Sequence, residues 1–155
     1  MNNIYANITA VGKYLPKSTI KNDYFEQNLD TSNDWIISRT GIKERRQVAK
    51  GEASVSMGTK AIQDLLNTTS IKAKDIDAII VCTITPDMFF PSCACLIQKE
   101  IGAVNAWGFD LSAACSGFVF GLETASNMIQ SGKYKKVVVV GVDTMSSILD
   151  YNDRN

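Results

Sequence analysis

At 155 residues the chain has the length of one domain, and its 45% apolar and 21% charged residues are ordinary for a soluble globular protein. Sixteen basic and sixteen acidic residues cancel, so no global charge recruits nucleic acid or an anionic membrane. The N-terminus lacks a basic region followed by a long apolar stretch, and no run reaches about 18 apolar residues. A signal peptide and a membrane span are therefore not expected, and a cytoplasmic protein is.

Residues 4–11 read as a first strand, with Gly12 and Pro16 punctuating its exit. Residues 22–28 read as a short helix. Thr31-Ser32-Asn33-Asp34 has the form of a capping box in which Asp34 replaces the usual Glu or Gln. It opens a short helix carrying Trp35 and Arg39, which Gly41 stops. These two residues lie four apart and share a face. They either sandwich a planar aromatic ligand such as a nucleotide base, or form a packed tryptophan beside a solvated arginine. Lys43, Arg45, Arg46 and Lys50 gather in the basic, partly extended stretch that follows. That cluster suits phosphates, the acidic face of a carrier protein, or plain solvation.

Ser54 is placed to cap a helix in which Val55, Gly58, Ile62, Leu65 and Leu66 share a face. Residues 76–85 are rich in β-branched side chains and nearly free of charge, as in a strand buried on both faces. Phe89-Phe90-Pro91 leads into a helix with Cys93, Leu96, Ile97 and Ile101 at helical spacing and Gly102 behind it. The two phenylalanines line an apolar channel, meet a second subunit, or pack in the core. Residues 106–111 form the next buried strand, 116–130 the next helix, ended by Gly132, and 136–142 the last buried strand. Strands alternating with helices predict an α/β fold, an open and mostly parallel sheet with helices on both faces. Ligands of such sheets lie beyond the carboxyl ends of the strands, where Cys115, residues 85–90 and Asp143 all fall.

Of the four cysteines, at 82, 93, 95 and 115, none forms a Cys-x-x-Cys pair. With no histidine in the chain the common mixed zinc sites are excluded, and reduced thiols are expected. Cys93 and Cys95 are two apart on one helix and point away from each other. Cys115 stands where a strand hands over to a helix. There a thiol meets the positive end of the helix dipole, and backbone N–H groups are available to a developing oxyanion. The alternative is a small, inert core cysteine beside Ala113 and Ala114.

Several segments share one resemblance: Asp30-Thr31-Ser32-Asn33-Asp34-Trp35-Ile36, Arg39-Thr40-Gly41-Ile42-Lys43-Glu44-Arg45, Phe90-Pro91-Ser92, Ala113-Ala114-Cys115-Ser116-Gly117-Phe118 and Asp153-Arg154. In order and spacing over the whole chain, they resemble β-ketoacyl-acyl-carrier-protein synthase III, the initiating condensing enzyme of the thiolase-like superfamily. The resemblance implies that residues 1–155 are the N-terminal half-domain of the duplicated αβαβα layered fold. It implies Cys115 as the acyl-accepting nucleophile, and Trp35 and Arg39 flanking the adenine of coenzyme A. Thr31 touches the same base, and Arg154 closes over it from the other side. Phe90 projects across a homodimer interface into the partner's acyl pocket.

The implied partners are acyl-coenzyme A and malonyl-acyl carrier protein. No metal or cofactor is implied, because the coenzyme A thioester is a substrate. The resemblance also implies a second half supplying a catalytic histidine and asparagine, so this chain alone is not expected to condense. The helix after Cys115, with Phe118, Val119, Phe120, Leu122, Met128 and Ile129, reads as buried all round, and its exposure would promote association. Rival readings are a starter synthase of secondary metabolism, a 3-hydroxy-3-methylglutaryl-coenzyme A synthase, a non-catalytic assembly subunit, and an unrelated doubly wound binding domain. The retained Cys115 speaks against the assembly subunit.

Overall fold

The computed structural model describes residues 4–154. Its elements in chain order are β1 (Ser18–Lys21), α1 (Asn22–Asn28), α2 (Asn33–Thr40), β2 (Glu44–Gln47), α3 (Ser54–Asn67), β3 (Ala78–Cys82), α4 (Cys93–Ile101), β4 (Trp107–Leu111), α5 (Gly117–Gln130) and β5 (Val137–Gly141). They fall into two compact units. One contains residues up to Tyr14 and Ala53–Asp143; the other contains Leu15–Glu52 and the stretch from Thr144 onward.

The first unit is built on a parallel sheet of order β4-β3-β5. All five residues of β3 are buried, as its β-branched run requires of a central strand. Its side chains alternate between two cores. Ile79 and Val81, with Val138, Val140 and Val142 of the β5 segment, pack with Ile62 of α3 and Cys93, Ala94 and Ile97 of α4. Ile80 and Cys82 face the other way, with Phe109, Leu111, Val137 and Val139, and meet Ala125 and Met128 of α5. Helices thus cover both faces of the sheet.

The outer strands β4 and β5 are only partly buried, not sealed as their apolar sequences predict, because each has a single neighbour in the sheet. The helix α5 also departs from expectation. It turns its small residues Gly117, Gly121 and Ala125 to the sheet and leaves Phe118, Val119 and Phe120 47%, 63% and 54% exposed. A glycine and alanine stripe lets the helix axis approach the strands closely, which points the large side chains outward.

Residues 4–11 do not form the expected strand. The segment has no ladder partner among the described residues, and Ile4, Tyr5, Ile8 and Val11 are exposed. It follows α3 instead: Lys13 N donates to the Asp64 carboxylate at 3.0 Å, and Gly12 lies close against Leu65. High β-propensity without a cross-strand partner does not make a strand. The helix α3 is capped at Ala53, one residue before the expected Ser54. Ser56 Oγ accepts from Ala53 N at 3.0 Å, which frees the Ser54 hydroxyl to donate to the Thr85 carbonyl at 2.7 Å.

The base of the sheet is pinned by Asp77, whose Oδ2 accepts the N–H groups of Lys135 and Lys136 at 2.7 and 2.9 Å. These bonds, Lys136 first, hold its carboxyl below the ordinary value of 3.8, with the two lysine charges adding. A depressed folded-state value stabilises the fold above the ordinary carboxylate range, and that contribution is lost as pH falls below about 4. Thermal melts at pH 6 and pH 3 will show a steeper acid loss in the parent chain than in Asp77→Asn. The difference will be ~1 kcal/mol after solvent screening.

The second unit pairs β1 antiparallel to β2, from Ser18 opposite Gln47 to Lys21 opposite Glu44. The β1 strand escapes sequence reading because Ser18-Thr19-Ile20-Lys21 is short, mostly exposed and without apolar alternation. Buried Asn22 ties the unit together: its Nδ2 donates to Asn33 Oδ1 at 3.0 Å and Ile42 O at 2.9 Å, and its Oδ1 accepts from Arg45 at 2.9 Å.

Candidate active site

Because all three strands of the larger sheet are parallel, their carboxyl ends share one edge. Beyond β4 the chain makes a sharp 3-10 turn at Ala114–Ser116 before α5 begins at Gly117. Ala114 has φ +46°, the left-handed region that an alanine enters at a cost of ~1–2 kcal/mol. Such strain persists only where the surroundings impose it. The turn presents Cys115 to solvent just ahead of the α5 N-terminus, whose first-turn N–H groups have no intrahelical acceptor. Exposure removes the inert-core reading of this cysteine.

The other thiols differ. Cys82 and Cys93 are buried. Burial pushes the Cys82 thiol up, with Asp143 adding to the effect. Burial pushes Cys93 up to about 11, with Asp110 and Asp87 adding to it. Both remain protonated near neutral pH and are poor nucleophiles. Cys95 is exposed on α4, as two-residue spacing requires, but its amide already donates to Ser92 Oγ at 3.3 Å.

The loop from β3 to α4 shares the same edge. Phe89 and Phe90 are almost wholly exposed at its tip, which excludes core packing within this chain. Asp110 of β4 receives the first turn of α4: Oδ2 accepts Cys93 N at 2.8 Å and Oδ1 accepts Ala94 N at 2.9 Å. Asp143 also joins the loop, as its strand-end position suggests, accepting from Ile84 N at 2.9 Å.

In the second unit, α2 begins one residue later than the capping box implies. Ser32, not Thr31, is the N-cap, and its Oγ accepts Trp35 N at 3.1 Å. That leaves Thr31 free to line a cavity of about 190 Å³ with Phe25, Leu29, Trp35, Ile36, Arg45 and Arg154. The volume is below the ~300–1,000 Å³ of a pocket that encloses a whole drug-sized ligand, so it suits one ring. Trp35 is 45% exposed, with the Arg154 guanidinium 4.9 Å and that of Arg39 5.7 Å from its ring centroid. Gly41, at φ +71°, ends the helix in the left-handed conformation that its sequence position predicts.

The structure thus brings Thr31, Trp35, Arg39 and Arg154 together within one unit, while Cys115 and Phe90 belong to the other. Sequence reading missed Phe25, Tyr151 and the structural role of Arg45. The Arg45 guanidinium stacks 4.5 Å from the Phe25 ring centroid. Phe25 and Tyr24 in turn pack against Tyr151, and Arg154 Nε donates to Asp30 O. Arg46 likewise reaches back, to Pro16 O at 3.2 Å. The two arginines therefore brace their own unit, which contradicts a simply solvated basic loop. The signal was aromatic residues at 24, 25 and 151, too far apart in sequence to pair by spacing.

No described helix is long and apolar enough to cross a membrane. Among the described residues no three His, Cys, Asp or Glu side chains gather as a metal site.

Residues 109–155 match the family model 3-oxoacyl-[acyl-carrier-protein (ACP)] synthase III. The β-ketoacyl-[acyl-carrier-protein] synthase III of Chlorobaculum tepidum is 55% identical over 150 residues, covering 96% of this chain and 46% of that protein. The crystal structure of 3-oxoacyl-[acyl-carrier-protein] synthase III from Aquifex aeolicus superposes with TM-score 0.89 at 41% identity, over 98% of this chain and 48% of that one. A priming β-ketosynthase of a polyketide biosynthetic pathway superposes with TM-score 0.93 at 34% identity, over 98% and 46%. The chain spans about half the length of the curated relatives it matches. By sequence and by its thiolase-like fold, it belongs to the β-ketoacyl-[acyl-carrier-protein] synthase III family.

Proposed function

We propose that this chain provides the acyl-accepting half-reaction of an initiating condensing enzyme of fatty acid synthesis. The observation that carries the reading is the exposed Cys115 on a strained turn directly before α5. The Cys115 thiolate attacks the thioester carbonyl of acyl-coenzyme A, and α5 N–H groups receive the charge that forms on oxygen. Collapse expels the coenzyme A thiolate, which takes up the proton that Cys115 gave. The acyl group stays on sulfur as a new thioester.

The Trp35 cavity supports the other half of the reading. An exposed indole with guanidinium groups close to its ring supports stacking of a purine base, here the adenine of coenzyme A, with Thr31 and Arg154 lining the same cavity. Coenzyme A serves as substrate, and the reading needs no resident cofactor. In the whole protein, malonyl-acyl carrier protein then loses carbon dioxide, and the resulting carbanion attacks the acyl-cysteine to give a 3-ketoacyl-acyl carrier protein. That second step calls for a histidine, and the chain contains none. We place the reaction in the cytoplasm, where thiols stay reduced. We also assign the exposed Phe90 to a homodimer interface, reaching the partner's acyl pocket.

Acetyl-coenzyme A will release free coenzyme A in proportion to a single acetyl mass gained by the chain. A chain that gains no acetyl mass under saturating donor would contradict the function. Trp35→Ala removes one stacking surface, worth ~1–3 kcal/mol. Titration of the acetylation rate will show a half-saturating donor concentration about tenfold higher, with the saturating rate within about twofold of the parent. A starter synthase of polyketide assembly is the second reading, favoured by the likeness to the priming ketosynthase. A panel of acyl-coenzyme A donors separates the two by chain-length preference.

A further inference from the structure

We propose that Asp143 is a positioning residue for acyl transfer, a role that rests on the functional reading above. A single oxygen, Asp143 Oδ1, accepts three hydrogen bonds from the segment leaving β3: Thr83 Oγ1 at 3.1 Å, Ile84 N at 2.9 Å and Thr85 Oγ1 at 3.1 Å. Bonds to an ionised carboxylate are stronger than neutral ones, so one side chain at the end of β5 fixes the course of the chain beyond the central strand.

Thr83 carries that constraint toward the nucleophile. It is buried, and a buried hydroxyl requires a partner. While its Oγ1 donates to Asp143 and accepts Thr85 N at 3.0 Å, its amide donates to Leu111 O at 3.2 Å. Leu111 is the last residue of β4, and the turn bearing Cys115 begins three residues later. On the opposite side, Val142 N donates to Cys82 O at 3.1 Å. The three strand ends are thereby locked together where the thiol emerges. The far side of the same loop is held by α3, through Ser54 Oγ to Thr85 O and Val55 N to Asp87 Oδ1 at 2.9 Å.

Acyl transfer depends on the angle at which sulfur meets the carbonyl, and small displacements of a reacting group reduce rate far more than affinity. Asp143 belongs to the unit that carries Cys115, whereas the Trp35 cavity lies wholly within the other. Loosening Asp143 therefore slows transfer without weakening donor binding.

The test compares Asp143→Ala, Asp143→Asn and Thr83→Val in the purified chain with acetyl-coenzyme A. Thr83→Val keeps the shape of the side chain and deletes its bonds to Asp143 and from Thr85 N, so it reports on the same loop anchor even if Asp143→Ala folds poorly. Expected are an acetylation rate at saturating donor lowered about tenfold in Asp143→Ala, and a half-saturating concentration within about twofold of the parent. Amide exchange at Ile84 and Thr85 will be about tenfold faster, and alkylation of Cys115 by iodoacetamide unchanged, because the thiol stays exposed. Asp143→Asn, which retains an acceptor oxygen, will recover most of the rate, and Thr83→Val will fall in the same direction as the alanine variant. A parent chain that labels, with Asp143→Ala and Thr83→Val labelling equally fast, overturns this role alone. So does a loss of rate accompanied by an equal loss of affinity and of cooperative unfolding. A parent chain that takes no acetyl group overturns the functional reading, and this role falls with it.

Discussion

Cys115→Ala will carry no acetyl group after incubation with acetyl-coenzyme A, whereas Cys95→Ala will label as the parent does. The contrast is demanding because both thiols are exposed. What separates them is the backbone around each. Cys95 lies within α4, with its N–H already bonded to Ser92 Oγ and the first two N–H groups of that helix held by Asp110. No amide there is left for a developing oxyanion. Around Cys115, Ser116 N donates to Ala113 O at 3.1 Å and Gly117 N to Ala114 O, while the Cys115 amide itself has no partner among the described residues. The buried pair, Cys82 and Cys93, are kept as thiols by desolvation and will not substitute for it. The loss in Cys115→Ala is therefore expected to be complete within detection, and intact mass spectrometry reads it directly.

Gly121→Val is expected to be the most destabilising single substitution in α5. A Cβ at this position would stand 2.5 Å from Cys82 Sγ and 2.9 Å from Val139 Cγ1, both on the sheet beneath. Neither neighbour can withdraw, since Cys82 belongs to the fully buried central strand and Val139 to its neighbour. Overpacking by one methyl costs ~1–3 kcal/mol, and the branched valine adds two more carbons at the same contact. A loss of ~3 kcal/mol or more is a large share of the ~5–15 kcal/mol that holds a domain together. Gly102→Ala is the comparison. Position 102 has φ +72° with no atom within 4 Å, so the cost there is conformational, ~1 kcal/mol. Thermal melts should separate the two variants by about 4–8 °C.

The same close packing explains which parts of the fold were legible in the sequence. The run Ile79-Ile80-Val81 declares a central strand because it needs cover on both faces, and Gly41 and Gly102 mark helix ends because both sit in the left-handed region. Burial of the outer strands was not legible, since sequence reports apolarity and not the number of neighbours a strand acquires. Residues 4–11 failed for a related reason: β-propensity is local, while pairing is a property of the partner. In the site, spacing put Cys115 at a strand-to-helix turn and Trp35 and Arg39 on one helix face, which is where the structure has them. The anchoring of Arg154 was not legible, because the Asp30 carbonyl, 124 positions away, reaches its Nε only through the folding of the second unit. Asp143 was legible only as a strand-end residue and Asp110 not at all, because a carboxylate at a strand end looks the same in sequence whether it caps a neighbour or faces water.

The central claim is that a coenzyme A thioester is recognised at Trp35 and discharged onto Cys115. Peptide mapping after a short exposure to acetyl-coenzyme A tests it most directly, with hydroxylamine to distinguish thioesters from amides. The account predicts a hydroxylamine-labile acetyl group on the peptide bearing Cys115, suppressed by excess free coenzyme A and slowed at low donor concentration in Trp35→Ala. Label on Cys95 or on lysine, or label on Cys115 indifferent to both free coenzyme A and the loss of Trp35, would contradict it.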